Sequence, residues 1–271
     1  MADTKTVVKF GTDGWRGIIA DDFTYANVRV AAAAIANYVL AHEDATAGIC
    51  IAHDTRFGSR SFAKIVAEVT ANAGIPVALA IDVTPTPALS YAVRERKAAG
   101  GVMITSSHNP AQWNGVKYKA SYGGSGKPSI MTAIEGYLDK PLSQSSSPAA
   151  IKDIDFNPDY ITAIARFVDL DAIKPSEYKF LIDCMYGAGR GVVAGIFHPR
   201  GHTIRRDAQR DQPRISRHQP RADPASSKLP SVLLLQRNVT QASSPMAMLT
   251  ASAQSMSTAT SSMRTRSSPS C

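Results

Sequence analysis

The stretch GVMITSSHNPAQWNG, residues 101–115, joins two kinds of chemistry within fifteen positions. Val102, Met103 and Ile104 are apolar without alternation, the pattern of a strand buried on both faces. Seven residues dominated by hydroxyls, amides and an imidazole follow at once. A covered strand that ends in such a run delivers a polar loop to the edge of a sheet.

The preceding segments carry the same signature. TYANVRVAAAAIANYVLAHE (24–43) and SRSFAKIVAEVTANAG (59–74) have helical spacing, the second with Ser59 placed as an N-cap and Gly74 as a stop. GICIAHD (48–54), IPVALAID (75–82) and AGGVMIT (99–105) are short continuous apolar runs, and TPALSYAVRERKA (86–98) is a helix with proline in its first turn. Non-alternating strands separated by helices predict a three-layer α/β/α domain over residues 1–140. PLSQSSSPAA (141–150) has no periodicity and opens a linker, 141–157. NPDYITAIARFVDLDAI (157–173) as helix and KFLIDCMYGAGRGVVAGIF (179–197) as strand, glycine-rich turn and helix begin a second, incomplete α/β unit, 158–198. Residues 199–271 hold no aromatic residue, and only SVLLLQRNV (231–239) has regular character. Their composition predicts a disordered tail.

The chain of 271 residues has a formal net charge of +8. Lys+Arg and Asp+Glu balance at 19 each through His198, and 11 against 3 follow in the tail. The patterned part is neutral, so the basicity is no argument for nucleic acid or an anionic membrane as a partner. Cys50, Cys184 and Cys271 are odd in number and widely spaced, which excludes a readable disulfide framework or zinc site. With no apolar span or leader-like start, a cytoplasmic location is expected.

Four polar loops follow apolar segments, at the edge of an α/β sheet where ligands bind: FGTDGWRG (10–17), HDTRFGSR (53–60), TPTP (84–87) and TSSHNPAQWNGVK (105–117). Arg16 and Arg56 among glycines and hydroxyls suit phosphate, through guanidinium forks and backbone N–H groups. Taken singly, each loop has a plainer reading. Gly11, Gly14 and Gly17 serve turns, Asp54 with Arg56 is a surface ion pair, and Ser107-His108 is a capped turn.

Taken together and in order, FGTDGWRG, HDTRFGSR, DVTPTPAL, TSSHNPAQWNGVKYKASYGGS and DCMYGAGRG resemble the α-D-phosphohexomutases, in particular phosphoglucomutase/phosphomannomutase, over residues 8 to about 196. The resemblance implies an enzyme that interconverts hexose 1-phosphate and hexose 6-phosphate through a phosphoserine and a bisphosphorylated sugar. Its partners would be hexose phosphate and hexose bisphosphate, with neither nucleic acid nor membrane. By the same resemblance Ser107 is the phosphoserine, Lys117 a general acid/base, and His108 and Arg16 support the phosphate. Thr12, Asn109 and Arg56 would bind substrate or phosphate, Arg56 either facing the phosphate or standing one step behind it. No Gly-x-Ser-x-Gly elbow is present, so a serine hydrolase is a distant alternative.

The family also implies Mg²⁺, with Ser107 contributing through its phosphate and an Asp-Gly-Asp-Ala-Asp-Arg loop supplying the carboxylates. That string is absent. Codons rebuilt in a shifted frame across Pro245–Ala253 permit it, followed by Ile-Gly. A different offset across Gln212–Pro224 permits Asn-Pro-Ala-Phe-Pro-Gly-Ile-Asn-Pro-Glu-Pro-Ile. The expectation is a phosphohexomutase in frame to about residue 198 and frameshifted beyond, inactive as it stands. The alternative is a non-catalytic remnant that at most binds sugar phosphate.

Overall fold

The computed structural model describes residues 8–173, 178–197, 204–207, 232–237 and 248–250. Six strands form a mixed sheet in the order β1-β5-β4-β2-β3-β6. They are β1 (Trp15–Ile18), β2 (Ile49–His53), β3 (Val77–Ala80), β4 (Gly100–Ile104), β5 (Trp113–Ala120) and β6 (Ile151–Ile154). β2, β3, β4 and β6 are mutually parallel, while β5 runs antiparallel to β4 and to β1.

Helices α1 (Tyr25–His42), α2 (Ser59–Asn72) and α4 (Pro128–Glu135) lie on one face, and α3 (Thr86–Glu95) and α5 (Asn157–Phe167) on the other. The strands show why two layers are needed. In β2, Ile49 and Ile51 join the larger core with α1 and α2, while Cys50 and Ala52 face α3. In β4, Val102 and Ile104 point one way and Met103 the other. A side-chain period of two on strands apolar at every position requires cover on both sides. The alanines of α1 lose no side-chain entropy and allow close approach, and Ala31, Ala32, Ala34 and Ala36 are all buried. Its N-cap is Thr24, whose Oγ1 accepts from Asn27 N–H at 3.2 Å.

Chain order reverses at β2. From β2 the chain passes through α2 to β3 on one side, then returns through α3 to β4 on the other. The crevice between the carboxyl ends of β2 and β4 is therefore the topological switch point, the standard ligand position of open α/β sheets.

Several boundaries differ from the sequence reading. Residues 141–157, read as linker, contain β6, which pairs with β3 as the sheet's outer strand. The helix read over 157–173 is two, α5 and α6 (Leu170–Ile173), with Val168 extended between them. Gly58, at φ +73°, caps α2 in place of Ser59. Lys117, read as part of a loop, stands on β5. A second sheet has the order β10-β9-β7-β8, from β7 (Tyr178–Asp183), β8 (Ile204–Asp207), β9 (Val232–Arg237) and β10 (Met248–Thr250), with α7 (Val192–Phe197) following β7 in sequence. Three of those strands fall within the tail expected to be disordered. β9 lies within the one stretch of it read as regular, and the rest of that expectation lies outside the described residues. No helix among the described residues is long and apolar enough to cross a membrane.

Candidate active site

The loop after β4 carries the decisive geometry. Thr105 N–H donates to Gly115 O at 3.0 Å, continuing the β4–β5 ladder one step past Ile104. Ser106 is buried, Ser107 is half-buried and His108 is exposed. Asn109 N–H closes the turn on Ser106 O at 3.1 Å. Ser107 has φ +55°, a left-handed conformation that costs a non-glycine residue on the order of 1–2 kcal/mol. Such a conformation persists only where its surroundings over-determine it.

Those surroundings come from the loop after β2. Asp54 is buried and accepts four contacts at its carboxylate. Oδ1 receives Arg56 N–H at 2.9 Å and Ser59 Oγ at 2.8 Å, and Oδ2 receives Thr105 Oγ1 at 2.6 Å with Arg56 Nε at 3.3 Å. Ser59 Oγ in turn accepts from Asn114 Nδ2 at 2.9 Å. The reading of Asp54 with Arg56 as a surface ion pair is corrected here: the Arg56 side chain is 1% exposed. Its Nη1 donates to Pro110 O at 2.8 Å and Trp113 O at 2.9 Å, and its Nη2 to Ser107 O at 3.0 Å and Asn109 O at 2.6 Å. The guanidinium thus lies against the inside of the 107–113 loop, with both terminal nitrogens on backbone carbonyls.

Arg16 comes from the other side. It lies on β1, opposite Gly115 of β5, and its Nη1 donates to Asn109 Oδ1 at 3.0 Å. Gly115 makes this approach possible, because a Cβ there would stand 2.7 Å from both Thr105 O and Trp15 O. Lys117 follows two residues along β5, buried, with Nζ 2.5 Å from Asp13 Oδ2. Asp13 Oδ1 also accepts from Ser125 Oγ at 2.7 Å and lies 3.5 Å from Lys119 Nζ. Burial would raise the Asp13 carboxyl, but hydrogen bonds from Lys117 and Ser125 and the two lysine charges hold it below the usual range. Burial pushes the Lys119 ammonium down against the pull of Asp13. Thr12 is exposed in the same loop as Asp13.

Of the residues expected from sequence, Ser107, Asn109, Arg16 and Arg56 are joined by direct bonds, and Lys117 is tied to the Thr12 loop through Asp13. Asp54 and Thr105 were visible inside quoted motifs but not as a linked pair. Asp13, Ser59, Asn114, Lys119 and Ser125 had no distinguishing signal except that Lys117 and Lys119 share a face of one strand.

Residues 7–145 match the family model for phosphoglucomutase/phosphomannomutase, alpha/beta/alpha domain I. The chain belongs to the phosphoglucomutase/phosphomannomutase family. Among solved structures, this family member resembles a putative phosphomannomutase from Thermus thermophilus, with TM-score 0.72 and 33% identity, over 82% of this chain and 50% of that one. A phosphoglucosamine mutase of Natranaerobius thermophilus is 30% identical over 196 residues, 72% of this chain and 43% of that protein. A phosphoglucomutase of Staphylococcus saprophyticus is 36% identical over 154 residues, 56% of this chain and 27% of that protein. The chain thus spans less than half the length of these two curated relatives.

Hard divalent cations such as Mg²⁺ need several oxygen ligands held together. Among the described residues of this family member, no three His, Cys, Asp or Glu side chains stand close enough to form such a group. The described residues therefore do not by themselves fit an Mg²⁺ cage.

Proposed function

We propose that this chain is the phosphoryl-carrying part of a hexose phosphate mutase, with Ser107 as the carrier. The observation that supports it most is the left-handed Ser107, held half-exposed at the switch point of the sheet with Arg16 one hydrogen bond away on Asn109. In the reaction, the bond from phosphorus to Ser107 Oγ breaks as one forms to a sugar hydroxyl. The hydroxyl proton leaves and the serine oxygen regains a proton; transfer of a second phosphoryl group from sugar to serine completes the isomerisation. Little covalent work falls to the protein in such a transfer, so placement and charge dominate. Arg16 and His108 would neutralise the phosphate, Thr12 and Asn109 would donate to it, and Lys117 would move the proton. The Asp-Gly-Asp-Ala-Asp-Arg string that the resemblance calls for is absent from the sequence, so we infer negligible turnover for this polypeptide alone.

A second reading is a non-catalytic remnant that at most binds sugar phosphate, and what favours it is that no Asp-Gly-Asp-Ala-Asp-Arg string stands in the sequence. Intact mass of the purified chain, before and after phosphatase and after incubation with glucose 1,6-bisphosphate, separates the two. One phosphate lost with Ser107→Ala supports the carrier. A chain that never accepts phosphate is the remnant. A coupled assay from glucose 1-phosphate to glucose 6-phosphate with Mg²⁺ and bisphosphate primer tests the inactivity; near-normal turnover would refute it.

A further inference from the structure

We propose that Arg56, Asp54 and Thr105 form a positioning device that sets the phosphoryl-accepting geometry of Ser107 without touching phosphate; this rests on the reading of Ser107 as the carrier. The guanidinium occupies the inside of the 107–113 loop and draws in four carbonyl oxygens, at 2.6–3.0 Å. Four of its five N–H groups are placed on carbonyls, and Nε is buried 3.3 Å from Asp54 Oδ2, an ion pair and not a hydrogen bond. Nothing is left to reach an anion. A fixed planar fork on four carbonyls holds their spacing, which the single ammonium of a lysine cannot do.

Thr105 carries the effect to Ser107. Its hydroxyl has one proton, and the 2.6 Å contact with Asp54 Oδ2 takes it. The oxygen's lone pair is thereby turned to Ser107 N–H, 3.0 Å away. An anionic acceptor at Asp54 thus decides the polarity of a bridge that ends on the backbone of the left-handed residue. Arg56 holds Ser107 by its carbonyl, Thr105 holds it by its amide, and Asp54 holds both partners. The side chain between those two anchors remains the one part of Ser107 free of them.

The test compares full-length wild type with Thr105→Val, Thr105→Ser and Arg56→Lys. Two measurements are made on each: the rate of phosphate incorporation at Ser107 from glucose 1,6-bisphosphate, by intact mass, and hydrogen exchange at the Ser107 and Asn109 amides. Displacement of a reacting atom by about 1 Å costs up to about 100-fold in rate. Thr105→Val and Arg56→Lys should therefore slow incorporation by about 10- to 100-fold, and Thr105→Ser should restore it to within about threefold, a recovery that lost packing alone would not produce. Thr105→Val should also speed exchange at Ser107 N–H by about tenfold, with Thr105→Ser again restored. Wild-type incorporation rates in Thr105→Val or Arg56→Lys overturn the proposal. Should wild type take up no phosphate, the carrier reading fails by itself, and unaltered exchange at Ser107 in Thr105→Val overturns the positioning as well. If Arg56→Lys does not fold, the two Thr105 variants decide.

Discussion

Replacing Gly14 by alanine should damage the fold at one identifiable contact. Gly14 has φ +112°, where an L side chain is strained by about 1–3 kcal/mol. The added Cβ would stand 2.2 Å from Val116 O and 2.8 Å from Lys117 Cα. Both atoms belong to the backbone of β5, which is paired on one side with β1 and on the other with β4. β5 cannot yield, so the 11–14 turn must, disturbing the bond from Gly11 N–H to Gly14 O at 2.9 Å and moving Asp13 off Lys117. Forced overpacking typically costs about 1–3 kcal/mol, so the two effects together come to about 2–6 kcal/mol. In urea, with a slope of about 1–3 kcal/mol per molar, the midpoint should fall by about 1 M or more. Gly11→Ala is the control within the same turn: its Cβ would meet only Gly14 O, at an ordinary 3.6 Å, and its midpoint should stay near wild type. Equal midpoints for the two variants would refute the argument that Gly14 is required by its approach to β5.

Two further predictions concern buried titratable groups. His53 is buried with Nδ1 3.0 Å from Asp54 O, and its Nε2 has no hydrogen-bond partner among the described residues; burial pushes its pKa below the ordinary 6.5. The unfolded chain then binds the proton more readily. Stability should be fully present above about pH 6.5 and decline as pH falls below it, and His53→Gln should flatten that part of a stability-against-pH series. An unchanged slope in the variant would assign the effect elsewhere. Burial also pushes the Cys50 thiol up to about 11. Native protein at about pH 8 should leave Cys50 unmodified by a thiol reagent that labels it at once in urea; rapid native labelling, located by peptide mass, would contradict the packing of β2 against α3.

Much of the fold is legible because it depends on neighbours in sequence. Continuous apolar runs such as Ile49–Ala52 and Val102–Ile104 demand two covered faces wherever they are placed, and Thr24 and Pro87 mark helix starts by local hydrogen bonding and fixed φ. The site is legible in part for the same reason. A covered strand ending in Thr105–Pro110 must present polar groups at the sheet edge. β6 escapes a sequence reading because Ile151–Ile154 is largely exposed and short, so pairing with β3, not an apolar pattern, makes it a strand. Ser59 suits a helix cap by its type, yet Asp54 holds its hydroxyl instead.

The sequence by itself determined the layers, the order of helix and strand through the first domain, and the polar loop with Ser107 at the edge of the sheet. Only the tertiary structure decided what Arg56 touches. A guanidinium beside hydroxyls and glycines looks the same in sequence whether it meets phosphate or carbonyl oxygens, since both are acceptors at hydrogen-bond distance. The choice is made by parallel pairing of β2 with β4, which brings residue 56 beneath residues 107–113, about fifty positions along the chain. Local sequence encodes what a side chain can bind; register between strands encodes what it reaches.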